Sequence, residues 1–400
     1  MMSHIPTLTK VFPSLLYPLP QNGNPVVPLS TNNIQVFKDR MFLSDLAWRR
    51  ESHDFVLPIG PSAELLAYMT IRKPIDSALD LGCGCGVQAI LAADHARSVI
   101  ATDINPRALE FTAMNARLNG FNNIHTGHGS YFEPVHGQRF DLILINMPYV
   151  ISPQNKYLYR DMVSTNGSDS INLAKQIPNH LKANGFAHIN LSWIFATNEE
   201  PWQPLMEVIQ NTGLDGMLFL AADFTPERYA EFWLSADGSL VKREKVNEYA
   251  SWYRNRGMEH IALGHLILRS RKTSKNWFTV FGLNTRIQKD VGEKVEQLFC
   301  AQDQLEAMGT PEDLLDVVFH QTGIQIISSG DDKTIAEDQS DFKFQIPIHS
   351  ATAQAIKCFN GKKSAREALL TAGCESITSA EFLREIQLLL QFGMIQKMKD

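Results

Sequence analysis

Asp80, Asp103 and Asn146 each stand where an apolar run stops, and side chains so placed can bind and polarise a small ligand. The run from Ala78 to Leu81 enters a glycine ladder, Gly82, Gly84 and Gly86, with Cys83 and Cys85 between them, and 87–93 reads as a helix start. A strand that ends in glycines and opens a helix brings backbone N–H groups close to a ligand. A dinucleotide fingerprint would need a third glycine at 87, where Val stands. The run from Ser98 to Asp103 is a second strand ending in an acid, 23 residues after Asp80. That is near the roughly 20-residue offset at which an acid meets a ribose hydroxyl in nucleotide-binding units. The run from Phe140 to Asn146 is a third, and Met147, Pro148 and Tyr149 follow it. An amide or aromatic amine nitrogen is a poor nucleophile because its lone pair is delocalised. The Asn146 side-chain carbonyl and the Met147 backbone carbonyl could both accept hydrogen bonds from such an NH2. Pro148 would stiffen the turn and Tyr149 could stack on a planar group. A strand-ending turn also favours Asn and Pro; the ladder and Asp103 tip the reading toward catalysis.

Such residues need a frame, and alternating strand and helix patterns supply one: an α/β fold with a parallel sheet and helices on both faces. Pro61 marks a helix start, and 33–42 reads as a strand or short helix. Asn105 and Pro106 open a helix that Gly120 ends, 124–128 is a strand, and Ser130 follows it. Further on, 171–181 reads as a helix closed by Gly185, 186–191 as a strand, 205–209 as a helix and 217–220 as a strand. The segment 261–268 is expected to be the last strand of the sheet, with an amphipathic stretch at 226–234 before it. Between them, 150–170 is polar and without a period, and carries Tyr157, Tyr159, Arg160, Asp161 and Asn166 to Asp169. A loop of about 20 residues beside the reactive turn is placed to cover an acceptor.

Taken together, Asp80-Leu-Gly-Cys-Gly-Cys-Gly86, Thr102 to Leu109, Asn115 to Gly120, Phe132-Glu-Pro134 and Asn146-Met-Pro-Tyr149 resemble class I S-adenosylmethionine-dependent methyltransferases. The resemblance is to the HemK-like, "methyltransferase small domain" group, and it runs from about Ser44 to Ser270. It implies a Rossmann-type sheet and S-adenosyl-L-methionine (SAM) as cofactor. By the same resemblance Asp80, Gly82, Cys83, Gly84, Gly86, Asp103, Ile104, Ser130 and Asn146 would bind the cofactor, with 59–62 as its lid. Ser130 stands where an Asp often contacts the adenine. Asn146, Pro148 and Tyr149 would be catalytic. Members methylate release-factor glutamines, guanine N2 or adenine N6, so the resemblance implies a nitrogen acceptor without choosing it. Met147 replaces the first proline of Asn-Pro-Pro-Tyr, which loosens the turn and leaves a peptide-tailoring role in a biosynthetic pathway open. The expected function is N-methylation of a peptide or protein, or of a small-molecule acceptor. A ribosomal or transfer RNA base methyltransferase and a non-catalytic SAM-fold scaffold are the alternatives.

Length and composition set the outer bounds. The chain has 400 residues, 44% hydrophobic and 20% charged, with a net charge of −6. That suits a globular protein of two or three domains with no overall field for nucleic acid. Five cysteines without paired spacing point to a reducing compartment, hence the cytoplasm. Cys83 and Cys85 lack the second pair a zinc site needs, so no metal is expected. No apolar span is long enough for a membrane helix. The expected domains are an irregular extension over 1–43, a methyltransferase domain over 44–279 and a winged-helix-type α+β accessory module over 280–400. Residues 242–275 carry nine basic and three acidic side chains with Trp252 and Tyr253 among them. This is read as a solvated face in preference to an RNA-binding strip. In the last part, Thr310 opens a helix, 330–340 is a polar linker, 342–348 a strand, and 350–359 and 364–370 short helices. Thr378 and Glu381 make a capping box, and 394–396 is a final strand. The segment 351–395 is similar to small peptide-binding modules that present precursor peptides to modifying enzymes. The part from 281 holds twelve basic and eighteen acidic residues, so a peptide or protein partner is expected there, with 342–348 as a possible docking edge.

Overall fold

The computed structural model describes residues 32–154, 159–162, 169–235, 241–271, 276–307, 310–329, 333–373 and 377–398. Of the irregular extension expected over 1–43, the part up to residue 31 lies outside the described residues, as do Tyr157, Asn166 to Ser168, Lys272 and Lys275, and the part from 32 on is not irregular but paired in a hairpin. The chain forms two compact units, one of Met1–Ala67 with Lys73–Gly282, the other of Tyr68–Arg72 with Leu283–Asp400.

The first unit opens with a hairpin of β1 (Asn32–Phe37) and β2 (Arg40–Asp45). Its two turn residues, Lys38 and Asp39, both have positive φ, the mirror-image turn that matches the twist of a hairpin. Helix α1 (Pro61–Met69) then leads to β3 (Ile75–Leu81), α2 (Val87–Ala93), β4 (Ala96–Asp103), α3 (Pro106–Leu118), β5 (Ile124–His128) and β6 (Phe140–Ile145). Next come α4 (Asp169–His180), β7 (Leu181–Phe195), α5 (Gln203–Gln210), β8 (Leu214–Phe224), α6 (Pro226–Ser235), α7 (Arg243–Arg254), β9 (His260–Ser270) and β10 (Phe278–Gly282). The eight-stranded sheet has the order β10-β8-β9-β7-β6-β3-β4-β5. It is parallel except where β9 runs antiparallel between β7 and β8. Alternation along β3 puts Leu79 and Leu81 into one apolar layer with α4 and α5, whereas Asp80 faces α2. A second layer joins Ile90, Phe111 and the hairpin's Phe42 and Leu43. Truncating a buried ring such as Phe111 would cost about 3–5 kcal/mol.

Three expectations for this unit need correction. Gly185 does not close the preceding helix; α4 ends at His180, and Gly185 lies inside β7. The register of β6 against β7 slips between Phe140 and Leu142, and Asn184 has a φ of 62°. A Cβ on Gly185 would lie 3.0 Å from the carbonyls of Asp141 and Lys182, so a side chain at this bulge would have to push the backbone of its neighbours aside. The segment 261–268 lies within β9, which is interior, and β10 adds an unexpected edge strand parallel to β8. The segment 217–220 is the centre of a strand of 11 residues.

Four cations of the basic stretch are paired with carboxylates. Arg269 and Arg271 both pair with the buried Asp215, at 2.7 and 2.5 Å. Lys245 pairs with Glu248 and Arg254 with Glu227, while Arg256 lies 3.9 Å over the Trp252 ring.

The second unit holds α8 (Gly292–Ala307), a short 3-10 helix at Pro311–Asp316, β11 (Val318–Gln321), β12 (Ile324–Ser329), β13 (Lys333–Asp338) and β14 (Gln345–Ile348). It continues through α9 (Ser350–Ile356), β15 (Asn360–Ser364), α10 (Ala365–Thr371), α11 (Ser379–Gln391) and β16 (Ile395–Lys397). The strands form two three-stranded sheets, β15-β11-β16 and β12-β13-β14. The polar segment read as a linker thus contains β13, because its Thr334, Ala336 and Asp338 turn inward. The strand expected over 342–348 begins only at Gln345, since Lys343 has a φ of 51° and breaks it. Thr310 caps a 3-10 turn through a reciprocal box with Asp313, not an α-helix. The Thr378 box forms, and α11 buries Phe382, Leu383, Ile386, Leu389 and Leu390. Lys294, buried on α8, gives its ammonium to Asp338 and to the Gly393 carbonyl, at 2.8 and 2.7 Å. The backbone of residues 68–72 packs into this unit. The Val291 N–H bonds to the Tyr68 carbonyl at 2.9 Å, and Gly292 comes so close to Thr70 that no Cβ would fit. Among the described residues no helix is long and apolar enough to cross a membrane.

Candidate active site

The three ladder glycines do three different jobs. All have positive φ, between 55° and 81°, a region that glycine enters without penalty. A Cβ on Gly82 would meet Met147 Cγ at 2.6 Å, so this glycine lets the Asn-Met-Pro-Tyr turn close onto the ladder. A Cβ on Gly86 would meet Thr112 at 2.9 Å, and Gly86 therefore sets the approach of α2 to α3. Around the Cβ position of Gly84 there is open space, and that space is the cavity. Gly82, Cys83 and Gly84 line it and Gly86 does not. Cys83 and Cys85 are buried thiols; Thr112 Oγ1 donates to Cys83 Sγ at 3.3 Å, and burial pushes the Cys85 thiol up to about 12. Among the described residues no group of three His, Cys, Asp or Glu side chains could hold a metal.

Asp80 and Asp103 divide the work at neighbouring strand ends. Gly86 has no side chain with which to cap α2, so Asp80 Oδ2 accepts the Ala89 N–H from below, at 2.8 Å. Burial raises the Asp80 carboxyl to about 7. Asp103 takes the Gly84 N–H on one oxygen at 3.0 Å and the Asn105 N–H on the other at 2.9 Å. Burial outweighs these bonds and lifts its carboxyl above the ordinary value. With the Ile104 N–H also directed at it, the carboxylate keeps acceptor capacity for a hydroxyl. Ile104 beside it is half exposed, and Ser130 and Tyr131 follow β5 on the same cavity wall.

Facing them is a strip that sequence reasoning only half found. Residues 59, 60 and 62 line the cavity as expected of a lid, but so do Phe55, Val56, Leu57 and Pro58. The hairpin staples this strip in place. Asp45 Oδ2 accepts the Val56 N–H at 2.8 Å, and Gln35 exchanges two bonds with the Ile59 backbone. Asn105 Nδ2 donates to the Asp54 carbonyl at 3.0 Å. The available signal was the apolar run Phe55-Val-Leu57 leading into Pro58 and Pro61, directly before the first helix. Gln88, Tyr159, Asp161 and Asp169 also line it.

Asn146 leaves β6 at the cavity floor. Its Nδ2 donates to Ser62 Oγ at 3.3 Å and its Oδ1 accepts from Asn190 Nδ2 at 2.9 Å. Met147 and Pro148 line the cavity as well, whereas the Tyr149 ring is not part of the lining: it packs edge-on to Trp233, 6.2 Å between centroids, with its hydroxyl toward Ser62. The turn is held from behind: Ser192 Oγ donates to the Tyr149 carbonyl, Ile151 N–H donates to Tyr229 Oη at 3.0 Å, and Tyr253 Oη donates to the Ile151 carbonyl at 2.9 Å.

The donor set fits SAM and not a dinucleotide. Asp80, Asp103, Asp161 and Asp169 line the cavity, with no lysine, arginine or histidine among the described residues there. A sulfonium and an ammonium suit such a wall, and a pyrophosphate does not. Asp103 has acceptors for ribose hydroxyls, Gly84 leaves room where a Cβ would stand, and Ile104 with Pro58 gives apolar walls.

Asp80 makes the stability of the protein fall between about pH 4 and about pH 7. Its folded pKa of about 7 lies above the 3.8 of a free carboxyl, so the folded state keeps a proton that the unfolded chain releases. The stabilisation is complete below about pH 4 and is lost as pH rises to about 7, by at most about 1.4 kcal/mol per pH unit inside that window. Asp80→Asn keeps an acceptor for the Ala89 N–H and removes the titration. Urea unfolding at pH 5, 6 and 7 is expected to show a shallower decline in the variant; parallel declines would show that Asp80 does not titrate there.

A family profile described as "Methyltransferase small domain" matches residues 59–169. A release factor glutamine methyltransferase of Xylella fastidiosa is 31% identical over 126 residues, 28% of this chain and 46% of that protein. A putative protein N5-glutamine methyltransferase of Methanocaldococcus jannaschii is 32% identical over 139 residues, 33% of this chain and 69% of that protein. A ribosomal protein uL3 glutamine methyltransferase of Bradyrhizobium diazoefficiens is 34% identical over 139 residues, 32% of this chain and 43% of that protein. The chain spans about half the length of the first two relatives it matches, 46% and 54%.

Proposed function

The chain belongs to the HemK-like group of the methyltransferase small domain family, and from that premise we propose that it methylates a side-chain amide nitrogen of a protein. SAM, when bound, supplies an electrophilic methyl group. Asp103 would accept from the ribose hydroxyls, and Gly82, Cys83 and Gly84 would border the amino-acid moiety. Asn146 Oδ1 and the Met147 carbonyl would accept the two hydrogens of the acceptor NH2. Holding those hydrogens away from the methyl carbon turns the nitrogen lone pair toward it and stabilises the positive charge that builds up as the bond forms. Pro148 limits the turn to few conformations. One observation carries this reading: Gly82 lets Met147 approach so closely that the polarising turn and the cofactor ladder share one cavity wall.

A protein acceptor is favoured over a nucleic acid on two grounds. The named relatives act on a release factor and a ribosomal protein, and four cations of the basic stretch are tied to carboxylates. The test is mass spectrometry of a protein extract and of an RNA fraction after incubation with the full chain and isotopically methyl-labelled SAM. Label on a glutamine or asparagine side-chain nitrogen is expected. Label confined to RNA would overturn the proposal.

A further inference from the structure

Beneath the Asn146 turn, three more polar side chains form a line through the interior of the sheet. His188 and Asn190 share a face of β7, and Asn190 stands opposite His265 on β9. Both histidines are fully buried and Asn190 is nearly so. Buried polar groups on central strands are costly unless they find partners, and here the donors and acceptors from the Ser62 carbonyl to His188 Nδ1 can be assigned in turn.

The assignment starts from a group that cannot flip. The Ser62 backbone carbonyl lies 2.8 Å from Asn190 Nδ2 and can only accept, so the Asn190 NH2 must face it. The second hydrogen of that NH2 points to Asn146, 2.9 Å away, and Asn146 must meet it with its oxygen. Asn190 Oδ1 is thereby turned toward His265 Nδ1, 2.8 Å away, which must carry the proton. Burial keeps the His265 ring neutral, so its Nε2 is bare and accepts the Nδ1–H of His188 at 3.3 Å.

We propose that Asn190, His265 and His188 are positioning residues that lock the Asn146 amide in one orientation, its oxygen as acceptor and its NH2 toward Ser62. The proposal rests on the reading of Asn146 as the group that receives the substrate's NH2. A flipped Asn146 would turn its own NH2 toward the incoming one, donor against donor, and would also face the Asn190 NH2. The Asn190 NH2 excludes that state, and the Ser62 hydroxyl, which can donate or accept, follows the orientation it sets. His265 acts at one remove, by holding Asn190, and His188 by holding the His265 tautomer.

Two measurements test the relay. Long-range proton–nitrogen NMR of the full chain with S-adenosylhomocysteine at neutral pH is expected to show a neutral His265 ring with its proton on Nδ1, and a proton on His188 Nδ1. His188→Gln and His265→Gln assign the signals. A His265 ring protonated on Nε2, or charged, would overturn the proposal. The second measurement uses Asn190→Asp, which still accepts from His265 but cannot donate to Asn146. With a pool of glutamine-containing peptides as acceptor, kcat is expected to fall at least about tenfold, with S-adenosylhomocysteine affinity within about threefold. In an Asn146→Ala background the same change is expected to have no further effect on kcat; additive losses would show that Asn190 acts elsewhere and would also overturn the relay. If the unaltered chain methylates no peptide, the functional reading fails, while the ring tautomers still decide the relay.

Discussion

Asn146→Ala is expected to lower turnover by about two to three orders of magnitude, the scale for losing one oriented polar group at a reacting centre. S-adenosylhomocysteine should still bind within a few-fold, because the ladder, Asp103 and the 55–59 strip do not depend on this side chain. Such a split between kcat and affinity marks a group that acts in the transition state and not in the ground state. Single-turnover methyl transfer and calorimetry give the two halves. An unchanged rate would reduce the Asn-Met-Pro-Tyr turn to a strand terminator.

Asp103→Ala is expected to act on the other half, weakening S-adenosylhomocysteine by about 1.5–3 kcal/mol, the range for hydrogen bonds to a charged group. Two effects combine. The ribose would lose its acceptors, and the Gly84 and Asn105 N–H groups would lose the carboxylate that now orders the ladder against the start of α3. Asp103→Asn should lie between, since its single carbonyl can serve only one of the two. Calorimetry with S-adenosylhomocysteine and with NADH decides the assignment; tighter NADH binding would refute it.

What could be read from the chain was whatever is local. Each strand that ends in Asp80, Asp103 or Asn146 announces itself within a few residues, because an apolar run, a glycine or proline and a polar terminus are adjacent. The 55–59 strip is different. Its role depends on Asp45 and Gln35 reaching it from a hairpin, and nothing in the run itself states that. His188 and His265 are 77 residues apart, so their line emerges only when β9 is seen to run antiparallel beside β7. Gly185 looked like a helix stop because glycine serves both helix ends and bulges; the slip in register decides between them. Tyr149 was expected to stack on the acceptor, but an aromatic cluster built from α6 and α7 claims its ring.

The second unit draws residues 68–72 from far upstream of its main part, which starts at Leu283. During synthesis on the ribosome the short segment is therefore made 211 residues before its partners. At about 5–20 residues per second that interval is roughly 10–40 s. Throughout it the Tyr68 carbonyl lacks the Val291 N–H, and Thr70 lacks the Gly292 backbone that later packs on it. Nascent chains stalled inside this interval carry an unfinished seam, which makes them candidates for chaperone capture or proteolysis. Messages cut short before codon 283 would encode products that never complete it.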